Sequence, residues 1–339
     1  YRLNIQLKAE KKQVKQRKGR GSFLLLPAAV FFLTGCSIQK MALRSVADMM
    51  SGEMGAAVFT GEEDLELIED AMPFALKLYE IILEQEPYHP GLLLTAGMGF
   101  IGYANVFVQA PVEMLPYEEY EKEKRLRMRA KRLYIRGRDY VLRGLEVRHP
   151  GSTEILRRNY GEPAAKAAIS ALLREMTEQD VPFLYYAAAG WFGAVGMDTF
   201  DMNLTLDVPK VVAMVDRAYE LDPDYGKGLI HEFYISYYAN IPEGMVEKSE
   251  ENARHHFKQA LKLSGGNNPA PYVALATTLS IRNQDAMEFV ELLQTALTIK
   301  PEDDPDNAMM IVLNRRRAEW YLSHMEDYFL LDTDVSEEW

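Results

Sequence analysis

The stretch Val211-Val-Ala-Met-Val215-Asp-Arg-Ala218-Tyr-Glu-Leu-Asp-Pro223 decides how the chain is read. Apolar or small residues stand at its first, fifth and eighth positions, and proline follows five residues later. Four and three are the steps of one helix face, and proline ends the helix. The same spacing returns in Ala75-x3-Tyr79-x2-Ile82-x4-Pro87 and in Phe289-x3-Leu293-x2-Ala296-x4-Pro301. Ala253-x3-Phe257-x2-Ala260-x4-Gly265 stops on glycine, and Arg138-x3-Leu142-x2-Leu145-x4-Pro150 is a weaker fifth. A small residue on such a face lets a neighbouring helix approach closely, and a bulky one fills the groove between them.

Working outward, helical periodicity dominates and alternating strand patterns are scarce. The expected fold is all-α, built of degenerate tetratricopeptide-like helical repeats as an α-solenoid or helical bundle. Helices are expected near 38–56, 62–86, 91–108, 117–148, 163–177, 182–197, 208–221, 226–240, 248–263, 270–282, 286–299 and 306–330. Thr60-Gly-Glu-Glu63 and Asp285-Ala-Met-Glu288 read as capping boxes, and Asp180-Val-Pro182 and Asp207-Val-Pro209 put proline in a first turn. The repeat stops at 87, 150, 223, 265 and 301 are unevenly spaced, and only the last step nears the usual period of about 34. The repeats therefore carry insertions.

The partner helices are rich in glycine and aromatics. Leu92–Phe107 holds Gly97, Gly99 and Gly102 with Phe100, Tyr103 and Phe107. Phe183–Phe200 holds Tyr185, Tyr186, Trp191 and Phe192 among Gly190, Gly193 and Gly196, and His231–Asn240 holds Phe233, Tyr234, Tyr237 and Tyr238. Glycine inside a helix costs about 1 kcal/mol against alanine. Such runs signify either tight helix packing or the wall of an aromatic-lined cavity, for which Phe100, Tyr103, Tyr186, Trp191, Phe192, Tyr234 and Tyr237 are the candidate lining residues.

The N-terminus has a different character. Residues 1–35 carry eight Lys or Arg and one acid, Glu10, then eleven uncharged residues, Phe23–Leu33. Eleven are too few to cross a bilayer as a helix, which takes about 20. Leu33-Thr-Gly-Cys36 follows, in the order of a secretory leader ending at a lipobox. Residues 1–35 are read as the leader, 36–330 as the helical domain and 331–339 as an acidic tail. Cys36, the only cysteine, is the expected lipidation site. It would anchor the protein to a bacterial membrane, inner or outer, on the periplasmic side.

Composition limits the function. Removing eight of the 38 basic and one of the 50 acidic residues leaves 30 and 49, a net charge of −19. So acidic a body is unsuited to a phosphate backbone, and nucleic acid is excluded as a partner. Lys122–Arg148, with eleven Lys or Arg, is the one basic island. It reads as a solvated helix face, with anionic lipid or an acidic partner as alternatives. Gly97-x-Gly99-x-x-Gly102 matches a dinucleotide fingerprint by letter but lacks the preceding strand. The six histidines show no metal spacing, and no nucleophile and base stand together. No catalytic residue, metal or cofactor is expected, and the protein is not read as an enzyme.

The lipobox, the degenerate repeats with long inserts, Ala96-Gly-Met-Gly-Phe100 and endings such as Leu221-Asp-Pro223 together resemble the TatT family, the tetratricopeptide-repeat lipoproteins associated with TRAP transporters. That resemblance implies a non-enzymatic periplasmic accessory that binds the substrate-binding protein of the transporter. It also implies self-association, with a trimer among the forms, and a cavity that holds or passes a small, partly apolar ligand. The alternative is a repeat lipoprotein scaffold for envelope or outer-membrane assembly.

Overall fold

The computed structural model describes residues 41–241 and 246–330. The leader, Cys36 and the tail lie outside the described residues. The chain divides into two units, Tyr1–Met49 and Met50–Trp339. Of the first, 41–49 is helical. The second holds twelve helices that carry the fold: α1 (Glu53–Thr60), α2 (Leu65–Gln85), α3 (Pro90–Ala104), α4 (Tyr120–Arg148), α5 (Pro163–Glu175), α6 (Val181–Met197), α7 (Val208–Leu221), α8 (Leu229–Asn240), α9 (Ser249–Leu263), α10 (Ala270–Leu275), α11 (Ala286–Thr298) and α12 (Ala308–Ser323). No strand occurs among the described residues, so the all-α expectation holds.

The stretch that decided the reading is α7. Val211, Met214, Val215 and Ala218 form its buried face. Pro209 lies in its first turn, and the Asp222 N–H closes the last turn on the Ala218 carbonyl before Pro223. The Asp285 cap is as expected: its Oδ1 accepts from the Glu288 N–H at 2.9 Å. Glu288 does not reach back to complete the box; its carboxylate takes Arg254 and the Ser280 hydroxyl instead. The box at Thr60 is not formed. Thr60 ends α1, and Asp64 caps α2 by accepting from Glu66 N and Leu67 N. A better-placed carboxylate one residue before the helix outcompetes a hydroxyl five residues before it.

Helices pair as α3 with α4, α6 with α7, α8 with α9, and α10 with α11. In each pair the glycine- and aromatic-rich or short apolar helix comes first, and the proline- or glycine-stopped helix second. The long α4 also packs against α6, so it lies between two glycine-bearing partners. A Cβ added at Gly97 would stand 2.4 Å from Val141 Cγ2 and 2.8 Å from the Gly137 carbonyl oxygen; one added at Gly137 would stand 2.7 Å from the Gly97 carbonyl oxygen. On the other side Gly190 abuts the Tyr134 carbonyl and Gly193 the Tyr134 ring. Here the packing reading of the glycines is right. Gly102 differs, for a Cβ there would meet nothing within 4 Å.

Pro90–Glu113 is the one helix among the described residues long and apolar enough to cross a membrane. In this fold it is a core element, largely buried between α2 and α4. The last helix returns to the beginning: α12 packs on α11 and also on α1 and α2. The Pro305 carbonyl lies beside Gly61, and Lys227 Nζ pairs with Asp304 at 3.0 Å. Within the second unit the last helix thus closes back on the first two.

Candidate functional site

The seven aromatics proposed as one lining occupy five environments. Phe100, on α3, stacks on Tyr140 with centroids 5.7 Å apart, and the Arg136 guanidinium lies 4.6 Å above it. The Tyr103 hydroxyl accepts from Arg129 Nη2 at 3.2 Å while its ring tilts on Phe107. Phe192, Tyr234 and Tyr237 do come together: Phe233 touches all three, at 4.9, 5.8 and 6.1 Å. That cluster continues through Tyr238 to His256 and His231, whose Nδ1 atoms are 2.7 Å apart. Tyr234 also donates to Asp216 Oδ1 at 2.5 Å.

Trp191 has a separate setting. It is buried between Arg138, 4.6 Å from its ring, and Lys210 Nζ, 4.4 Å away. Lys210 is wholly enclosed and donates to Asp207 Oδ1 and to the Arg158 carbonyl. Burial, reinforced by Arg138, lowers its pKa, though Asp207 opposes the shift. The Trp191 indole N–H has no hydrogen-bond partner among the described residues. Tyr186 stands apart again, its ring edge-on to Tyr185 at 5.2 Å. Burial and then the charge of Glu232 push its phenol up to about 12.

Two polar features carried no sequence signal. The first is Glu232, on the opening turn of α8. Asn268 donates to its Oε1 at 2.6 Å, and burial raises its pKa to about 7. The second runs across a π-helical turn, Asn105–Gln109, that continues α3. One extra residue in that turn re-aims the side chains. Asn105 Nδ2 donates to the Tyr134 hydroxyl, Tyr134 to Gln109 Oε1 at 2.5 Å, and Gln109 Nε2 to Glu113 Oε1 at 2.8 Å. Arg317, from α12, closes the chain on Glu113 Oε2 at 2.7 Å, and its buried Nε has no partner among the described residues. An ion pair from α12 and a chain of hydrogen bonds thus run along this turn.

The basic island is less of a free face than its composition implied. Lys131 is buried and pairs with Asp198 and Asp201, each at 2.7 Å. Arg148 holds the fully buried Asp180 at 2.6 Å. Burial pushes the Asp180 carboxyl up, but hydrogen bonds from Thr177, Arg148 and His149 outweigh it and hold the group below its usual range. These cations fasten α4 to α6 and to the turns around it. Among the described residues no group of three or more His, Cys, Asp or Glu could hold a metal ion. The dinucleotide match at Gly97 and Gly99 falls inside α3, where both glycines face packed neighbours.

Comparison with known proteins places this geometry. The family model described as TRAP transporter T-component matches residues 61–329. An uncharacterized protein of Treponema pallidum (strain Nichols) is 32% identical over 316 residues, which cover 89% of this chain and 96% of that protein.

Proposed function

Because the chain belongs to the TRAP transporter T-component family, we propose that it is the periplasmic lipoprotein accessory of such a transporter, tethered through Cys36. In this reading it binds the transporter's substrate-binding protein and holds or passes a small, partly apolar ligand. It has no catalytic role of its own. The observation that carries the reading is the family match over nearly the whole helical unit. The basic leader, apolar run and Leu33-Thr-Gly-Cys36 support the tether, since a diacylated cysteine supplies the two chains that stable anchoring needs.

Sedimentation of the mature lipoprotein in detergent with a TRAP-type substrate-binding protein from the same organism tests the association. A complex is expected at tens of micromolar or below, and separate sedimentation at that concentration would count against the proposal. The tether has its own test. Cys36→Ser is expected to move the protein from the detergent phase to the aqueous phase on Triton X-114 partition, and unchanged partition would overturn it.

A further inference from the structure

We infer that the outer face of α4 is a docking surface for an anionic lipid bilayer, met through a line of arginines. The inference goes beyond the accessory reading and rests on its tether, which holds the domain beside a membrane. Arg125, Arg129, Arg132, Arg136 and Arg143 follow at steps of four, three, four and seven, so they share one face of the helix. All five are exposed, and at about 1.5 Å per residue the line is about 27 Å long. Ala130, Tyr134, Gly137, Val141 and Leu145 form the opposite, buried face, which packs on α3 and α6.

Most of this line is not used up by the fold. Glu80 takes Arg136, and the Tyr103 hydroxyl accepts from Arg129. Arg125, Arg132 and Arg143 pair with no carboxylate among the described residues, and Asp139 between them is held by Arg138 at 2.8 Å. Arg132, Arg136 and Arg143 line an open groove of about 290 Å³ with Ile135, Asp139 and Tyr140. At the N-terminal end of the line Tyr117, Tyr120 and Met128 stand exposed. Tyrosine is the kind of side chain that settles at the level of lipid head groups.

Charge and shape then select the occupant. A guanidinium presents a planar fork that takes two phosphate oxygens at once. A straight, exposed line on the convex side of one helix matches an extended sheet of phosphates. The mature body, with 30 basic and 49 acidic residues, is otherwise repelled by such a sheet. The tethered domain therefore comes to rest on this face. Of all anionic surfaces, the bilayer is the one held permanently at high effective concentration, so even a weak contact is populated.

The test is arginine footprinting with phenylglyoxal, read by mass spectrometry, on the mature lipoprotein with millimolar lipid. The vesicles are phosphatidylcholine alone or with about 30 mol% phosphatidylglycerol. Labelling of Arg125, Arg132 and Arg143 is expected to slow at least roughly threefold on the anionic vesicles. It is expected to recover at about 1 M salt, where the screening length is about 3 Å. Arg157 and Arg174, exposed outside α4, are expected to label equally on both. The triple variant Arg125→Gln, Arg132→Gln, Arg143→Gln changes only exposed positions and is expected to lose the protection of Arg129. Equal labelling on the two vesicles, protection as strong at Arg157 and Arg174, or unchanged protection of Arg129 in the variant would each overturn the inference. So would protection that appears on neutral vesicles only when a TRAP-type substrate-binding protein is added, which would assign the face to a protein. Lipid in excess lets the two vesicles be compared whether or not the chain is acylated. Protein that stays in solution with neutral vesicles sinks the tether, and equal arginine labelling sinks only the docking face.

Discussion

Alanine at Gly97 or at Gly137 is expected to destabilise the protein by roughly 1–3 kcal/mol each. Alanine is the better helix former by about 1 kcal/mol, so propensity alone gives the opposite sign. The crossing decides. The added methyl at Gly97 meets Val141 Cγ2 at 2.4 Å and the Gly137 carbonyl at 2.8 Å; at Gly137 it meets the Gly97 carbonyl and Ile101 Cγ1, both at 2.7 Å. A side-chain methyl can rotate aside, but the facing carbonyls belong to helix backbone, so α3 and α4 must separate. Val141, Leu145, Leu93 and Ala96, all fully buried, would then lose contact. The two substitutions act on one crossing, so the double variant is expected to cost less than the sum. Gly102→Ala is the control. With nothing within 4 Å of its Cβ, it is expected to be neutral or to stabilise by up to about 1 kcal/mol. Urea unfolding measures all three. Gly97→Ala as stable as the parent would refute the close crossing.

Acid is expected to weaken the fold through His231 and His256. Both are buried, with one N–H shared between their Nδ1 atoms, and both rings lie in the aromatic cluster. Burial, then the neighbouring histidines, hold the His256 pKa down to about 3, and burial also lowers His231. The unfolded chain takes up protons below about pH 6.5 that the folded chain refuses, so stability is full above that value and falls as pH drops. For His256 alone the loss at pH 5 is about 2 kcal/mol. Glu232 acts with the opposite sign. Its pKa is raised to about 7, so the folded state holds a proton that the unfolded state releases above about pH 4.5, and stability falls as pH rises through that window. A wild-type profile therefore mixes two opposed slopes. Replacing both histidines by phenylalanine keeps the rings and removes one slope. The stability difference between pH 7.5 and pH 5 is expected to shift by about 2 kcal/mol between parent and double variant. Equal differences in the two proteins would show that the pair is protonated without penalty.

Much of the fold was legible because it is written in local spacing. The buried face of α7, the Asp285 cap and the prolines after Asp180 and Asp207 all act within one or two turns. The glycines were legible as a pair of alternatives, and the structure divides them: Gly97 and Gly190 serve packing, while Gly102 faces open space. What escaped depends on residues far apart in the chain. Glu232 finds Asn268 36 positions on, and Arg317 finds Glu113 204 positions back. No periodicity marks such meetings. The π-helical turns at Asn105–Gln109 and Ala276–Ser280 also escaped, because one extra residue leaves the apolar pattern of the flanking helix intact. The aromatics stood out as candidate lining residues, but residue type could not say that Trp191 would sit between two cations while Phe192 joined another cluster.

The return of α12 to α1 and α2 governs how this architecture can vary. An open array gains or loses a unit at either extremity with little effect on the rest. Here each pair is also a spacer whose width lets Arg317 meet Glu113 and Lys227 meet Asp304. Deleting or duplicating the α8–α9 or the α10–α11 pair would misalign both clasps at once, so their number is constrained by geometry. Change is channelled instead into the lengths of the connecting segments.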